Sequence, residues 1–386
     1  MHRYLDDRVR QDLRKKMVIL TGPRQVGKTT LSRQLLDTGE GGQYLNFDVA
    51  AHRAVIHAQS WRHSAPLLVL DEIHKMRDWK GWLKGVADGR PAHQSVLVTG
   101  SARMDTFRQA GESLAGRFFH LRLHPLSVRE WCQQLSSAPQ AAALPQTPAG
   151  ALTHLLKWGG FPEPALAETD ADAQRWRADY FSGLIREDVL EFSRLQEVNT
   201  MRMFAELLRS RVGSPLSLAS MARDLAVSPS TLAKYLDILQ ALFIVFVVRP
   251  WHRNIARATL QSPKVYFYDT GLVQGDEGLK FENLVACHLL KHTHWQQDTL
   301  GLPTELHYIR TKDDAEVDFA LSNGTTLTHL MECKLSDTKP HRALQRFATE
   351  WPTATAVQVV RECPAEADHG AVQIRDAAQW LYELDA

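Results

Sequence analysis

The stretch Met17-Val-Ile-Leu-Thr-Gly22-Pro-Arg-Gln-Val-Gly27-Lys28-Thr29-Thr30 constrains this chain more than any other. A short apolar run suited to a buried strand meets Gly22, and the residues from Gly22 to Thr29 follow the G-x-x-x-x-G-K-T spacing of a phosphate loop. Glycines let the backbone curl so that its N–H groups face phosphate oxygens, and the helix that follows presents its positive end to them. Lys28 supplies a mobile point charge for the same oxygens, and the Thr29 hydroxyl is a ligand type suited to Mg²⁺. The expected nucleotide-binding residues are Gly22, Pro23, Arg24, Gln25, Val26, Gly27, Lys28, Thr29 and Thr30, with ATP and Mg²⁺ as the cofactors.

Strand-like runs then alternate with helical ones: Met17–Leu20, Gln43–Phe47, Pro66–Leu70, Ser95–Thr99 and Phe118–Leu123. That alternation predicts an α/β domain, a parallel sheet covered by helices on both faces. An amphipathic helix over residues 1 to about 16 leads in, with Tyr4, Leu5, Val9 and Leu13 at helical spacing. Leu67-Leu-Val-Leu-Asp71-Glu72 is an all-apolar strand ending in acid, and in such folds ligands bind at the carboxyl edge. Asp71 is expected to hold the Mg²⁺ through water and Glu72 to act as general base on the attacking water. At the end of the next strand, Ser101 has the residue type of a γ-phosphate sensor and equally that of a helix N-cap. Arg117, after Gly116, is the candidate for an arginine reaching a neighbouring subunit's γ-phosphate, with Arg103, Arg108 and Arg122 as competitors.

Composition bounds the partners. A formal net charge of +1 over 386 residues excludes a globally polycationic nucleic-acid binder, so any DNA contact must come from a local patch. Cys132, Cys287, Cys333 and Cys363 lie far apart, without metal or redox spacing, which fits a reducing cytosol. The charged start and the shortness of the longest apolar run, Ala241 to Val248, give no sign of a signal peptide or membrane span, and a cytoplasmic location is expected.

Gln133 to Gly150 is rich in small residues and Pro and reads as a loop or insertion. A helical connector follows, interrupted at Gly159-Gly-Phe-Pro162. In residues 212–262, a helix begun by Ser217, a turn with Ser228 as N-cap and Pro229 at the first helical position, a second helix and a strand give the layout of a winged helix-turn-helix. No acidic residue lies between Asp237 and Asp269, whereas Arg249, His252, Arg253, Arg257 and Lys264 do, a cationic strip suited to DNA phosphates. Winged helices also serve as lids or protein contacts. Towards the end, Asp318 and Glu332-x-Lys334 bring two carboxylates and an amine together on adjacent strands, because alternate residues share a face. Such a cluster suits Mg²⁺ at Asp318 and Glu332, with Lys334 orienting a water and Glu282 completing the shell. A salt-bridged hairpin, or a nuclease fold that no longer cleaves, is the alternative.

Together Gly22–Thr30, Leu70-Asp-Glu-Ile-His74, Thr99-Gly-Ser101, Leu114-Ala-Gly-Arg117, Gly159-Gly-Phe-Pro162 and Lys264-Val-Tyr-Phe-Tyr-Asp-Thr-Gly-Leu272 resemble the prokaryotic AAA-type ATPases with a C-terminal domain of unknown function. The tail is similar to the restriction-endonuclease-like PD-(D/E)xK fold. The resemblance implies an AAA-type ATPase domain over 1–145, a helical connector over 146–211, a winged helix over 212–262 and a nuclease-like domain over 263–386. It leaves three functions: an oligomeric ATPase working on DNA, an ATP-regulated metal-dependent nuclease, and a signalling or scaffolding ATPase whose tail binds a protein.

Overall fold

A computed structural model describes residues 2–37, 41–100, 116–134, 145–190, 195–252 and 262–386, without the side chains of 134, 185–190 and 195–197. It divides into two compact units, Met1–Pro125 with Ala241–Phe243, and Leu126–Gln240 with Ile244–Ala386. Ser101, Arg253 and Arg257 lie outside the described residues.

In the first unit, helix α1 (Asp6–Leu13) leads into strand β1 (Met17–Thr21), and α2 (Lys28–Asp37) follows the glycine loop. Then come β2 (Gln43–Asn46), α3 (Ala50–Ala58), β3 (Leu67–Asp71), α4 (Trp79–Gly89), β4 (Ser95–Thr99) and β5 (Phe118–Arg122). The strands lie in the order β2-β3-β4-β1-β5, every pairing parallel. β1 is buried along its whole length, so its residues are apolar without alternation. Met17, Ile19, Leu68, Leu70, Val96 and Val98 pack with Ile56, Leu83 and Val86 of α3 and α4. Register sets the chemistry: Leu20 pairs Thr99, Thr99 pairs Asp71, and Asp71 pairs Asn46. The parallel strands therefore end together at one edge, where the glycine loop also begins.

The second unit opens with α5 (Val128–Gln134), α6 (Pro148–Trp158), α7 (Pro162–Ala165), α8 (Asp170–Leu190) and α9 (Leu195–Arg209). Helices α10 (Leu218–Asp224) and α11 (Pro229–Ala241) are joined by a tight turn in which Ala226 has φ +52°. The Ser217 side chain accepts the Ser220 N–H and Ser228 Oγ that of Thr231, so both serines cap as their positions predict. Strands β6 (Val245–Pro250) and β7 (Lys264–Phe267) pair antiparallel. Next come α12 (Glu277–Trp295), β8 (Thr304–Arg310), β9 (Glu316–Asn323), β10 (Thr326–Lys334), α13 (Arg342–Glu350), β11 (Thr355–Val360), β12 (Ala367–His369), β13 (Val372–Asp376) and α14 (Ala377–Glu383). They share an eight-stranded sheet ordered β12-β13-β11-β10-β9-β8-β6-β7. Within it β8, β9 and β10 are antiparallel neighbours, and β11 joins β10 in parallel after the α13 crossover.

Two of the sequence signatures turn out to be halves of one junction in this unit. Arg177 Nε donates to Asp269 Oδ2 at 3.0 Å and its Nη2 to the Trp158 carbonyl at 2.5 Å. Gly159, at φ +73°, faces Asp269 so closely that a Cβ would stand 2.0 Å from Oδ1. Any side chain there would displace the buried carboxylate from its arginine.

Candidate functional site

The loop between β1 and α2 turns at Gly22, whose φ is +146° and where a Cβ would lie 2.2 Å from the Leu123 carbonyl oxygen. Gln25 adopts the left-handed region at φ +58°. The Lys28 ammonium is buried and donates to the carbonyls of Gly22 at 2.9 Å and Pro23 at 2.6 Å, which holds it at the mouth of the loop. Burial depresses its pKa to about 8, against the pull of Glu72 and Asp71. Residues 22–30 thus form one continuous loop and helix start, as their spacing predicts.

Asp71 is the hub. The Thr29 hydroxyl donates to its Oδ2 at 3.1 Å, Tyr44 OH donates to the same oxygen, and Asn46 Nδ2 stands 3.4 Å from it. The Thr99 hydroxyl donates to Oδ1. Three chain segments, distant in sequence, converge on one carboxylate because the strand register brings their ends level. Glu72 follows in the left-handed region, φ +58°, which is uncommon for a residue with a Cβ. Its N–H donates to both the Thr99 carbonyl and Asp71 Oδ1, each at 3.1 Å, and these bonds hold the turn. The Glu72 carboxylate lies 3.6 Å from both His74 Nε2 and Lys75 Nζ. Burial first, and then the Asp71 charge, raise its pKa.

Tyr44 and Asn46 were not singled out from the sequence, and Thr99 entered only within the Thr99-Gly-Ser101 motif. Asn46 and Thr99 pair Asp71 across the sheet, and Tyr44 lies two residues before Asn46 on the same strand face. Their signal is register, which exists only once the strand order is known. Arg3 carried no signal at all. Its buried guanidinium donates to the Val26 carbonyl at 2.6 Å and the His124 carbonyl at 2.5 Å, which clamps the loop to the chain leaving β5.

Arg117 lies elsewhere. Phe118 pairs Met17 at the start of both strands, so Arg117 stands at the amino edge of the sheet, away from the loop. There its Nε donates to Asp88 Oδ1 at 2.7 Å.

In the second unit, Glu282 of α12, Asp318 of β9 and Glu332 of β10 do come together. Glu332 Oε1 accepts Lys334 Nζ at 2.7 Å and stands 3.2 Å from His341 Nδ1. Asp318 Oδ2 accepts the Cys333 N–H at 2.9 Å. Burial and the Asp318 charge push Glu282 up to about 7 and Glu332 up to about 8. The cluster also holds two groups not foreseen there: Lys264, from β7, and Glu316. Arg249 is exposed on β6.

The AAA domain family matches residues 14–132. Two domains of unknown function follow, DUF8612 over 150–280 and DUF4143 over 277–365. An uncharacterized protein of Mycobacterium tuberculosis is 31% identical over 315 residues, covering 79% of this chain and 67% of the relative. An uncharacterized protein of Haemophilus influenzae is 21% identical over 300 residues, covering 71% of this chain and 74% of the relative. Among solved structures, RuvB of Thermotoga maritima aligns with a TM-score of 0.34 at 18% identity, over 63% of this chain and 88% of that one. No helix among the described residues is long and apolar enough to cross a membrane. The chain belongs to the same family as the mycobacterial protein, and its first unit makes it a P-loop ATPase of the AAA type.

Proposed function

We propose that this protein is a Mg²⁺-dependent ATPase that works on DNA as a homo-oligomer, using the elements after residue 212 to hold its substrate. The observation that carries the ATPase reading is the convergence of Lys28, Thr29, Asp71, Glu72 and Thr99 at one sheet edge. Lys28 is poised to exchange two backbone carbonyls for charged phosphate oxygens, which accept more strongly from an ammonium. An all-oxygen pair, Thr29 and Asp71, 3.1 Å apart, fits a hard cation, and these residues would hold Mg²⁺. Bound there, the ion supplies charge neutralisation for the transferred phosphoryl group. Glu72, made more basic by burial and by Asp71, accepts the proton of the attacking water. The Thr99 hydroxyl donates to Asp71, and Ser101, two residues on in the sequence, supplies the γ-phosphate-sensing hydroxyl.

The DNA reading is supported by the capped helix pair α10–α11, the antiparallel strands β6 and β7 that follow, and the exposed Arg249. It is also supported by the helix–three-strand–helix–strand order from α12 to β11, which is the chain order of a nuclease-like core. The test is ATP turnover with and without single-stranded, duplex and branched DNA, on wild type, Lys28→Ala and Glu72→Gln. Turnover should rise with DNA in wild type and vanish in Lys28→Ala. Glu72→Gln should bind ATP normally and lose about 10²–10⁴ in rate. Turnover indifferent to every DNA would remove the substrate from this reading, and an active Glu72→Gln would remove the base.

A further inference from the structure

Lys264, which opens the Lys264–Leu272 stretch, does not join the cationic strip expected to face DNA phosphates, because its side chain is buried. Its side chain is 1% exposed, and its ammonium stands 2.6 Å from Glu316 Oε1, 3.6 Å from Glu282 Oε1 and 3.9 Å from Asp318 Oδ1. Two of these three are the carboxylates expected to help bind Mg²⁺. Other donors also bond to the carboxylates of this cluster. Tyr266 OH donates to Glu282 Oε1 at 2.7 Å, and Arg310 Nη1 lies 3.1 Å from Glu316 Oε2. Asp318 Oδ2 takes the Cys333 N–H, and Glu332 Oε1 takes Lys334. Among the described residues no three His, Cys, Asp or Glu side chains are arranged to hold a metal ion.

A divalent ion at Glu282 and Asp318 would sit within a few ångströms of a buried, fixed positive charge. Two such charges in a poorly solvated place repel by several kcal/mol even at an effective dielectric of about 20. The ammonium cannot retreat to water, because its stem is enclosed and the Tyr308 ring lies 5.3 Å from it. These residues therefore do not fit Mg²⁺. We propose that Lys264 is the resident cation of this carboxylate cluster, held there in place of a divalent metal. The nuclease-like core is then a metal-free module, neutralised from within by a strand that precedes it in the chain.

The test titrates Mn²⁺ into nucleotide-free full-length protein, followed by calorimetry and by the spin resonance of free Mn²⁺. Wild type and Asp318→Asn should give the same isotherm, with no site attributable to the cluster. Lys264→Met, which keeps the stem and removes the charge, should gain one site of the order of a hundredfold tighter than any in wild type. That gain should disappear in Lys264→Met/Asp318→Asn. A wild-type Mn²⁺ site that Asp318→Asn abolishes would overturn the proposal, as would a folded Lys264→Met with no new site. If Lys264→Met does not fold, the comparison of wild type with Asp318→Asn still decides. No part of the measurement needs ATP or DNA, so its outcome is separate from the function proposed above.

Discussion

Arg3 is the residue whose importance is least visible before the chain folds. A buried guanidinium makes charge-assisted bonds to two carbonyls, one in the phosphate loop and one beyond β5, so it ties loop to scaffold. Each such bond to a charged group is worth about 1.5–3 kcal/mol. Arg3→Ala should therefore raise the KM for ATP roughly tenfold while the fold survives, since only part of that loss reaches the loop's binding geometry. Steady-state kinetics measure this, and an unchanged KM would mean that the loop holds its shape alone. Glu72 shows the same dependence on neighbours in another way. Its left-handed backbone is kept by the Thr99 carbonyl and Asp71, residues on two different strands. The acidic pair was legible as a motif, but the conformation that aims its second member was not.

Among the elements, α12 carries two buried titratable groups that fasten it to α5. Lys291 Nζ bonds Glu130 and donates to Ser127 Oγ at 3.0 Å, while Val128 N–H donates to His288 Nε2 at 3.0 Å. Breaking a buried pair from one side leaves the other charge stranded, so Lys291→Met should cost about 3–5 kcal/mol in urea unfolding. Replacing Glu130 by Leu in the same chain should recover most of that loss, and equal stability of the single and double variants would refute it. His288 gives the pH dependence. Burial lowers its pKa to about 4 from an ordinary 6.5, and its Nδ1 lies 2.8 Å from the Leu284 carbonyl, which fits a neutral ring donating there. The unfolded chain takes up the proton first, so the histidine's share of stability is complete above about pH 6.5 and is lost as pH falls towards 4. His288→Gln should flatten that part of the stability profile. A profile as steep as wild type between those limits would assign it to other groups.

At the scale of the whole molecule, Arg117 is the residue through which assembly is tested. Held by Asp88 at the amino edge of the sheet, it serves no nucleotide site of its own unit. If it acts between subunits, mixtures of Arg117→Ala with wild type should turn over ATP more slowly than the weighted mean of the two. Rates that follow the mean would exclude it. The five parallel strands, the nucleotide loop and its acidic partner could be read before folding because each depends on neighbours in sequence. Apolar runs signal buried strands, and a glycine–lysine spacing signals a phosphate cradle. Asp318, Glu332 and Lys334 were likewise legible as a group, since strand alternation and hairpin pairing are local rules. What no local rule supplies is which distant side chain arrives beside them. Tyr44 and Thr99 reach Asp71 through strand order, Arg3 reaches the loop from the chain's start, and Lys264 reaches the carboxylates from β7. The amino acids alone determined a charge pattern that fits a metal site. Only the tertiary packing decided that a lysine stands in it, because buried carboxylates need a counter-charge and the fold supplies the one within reach.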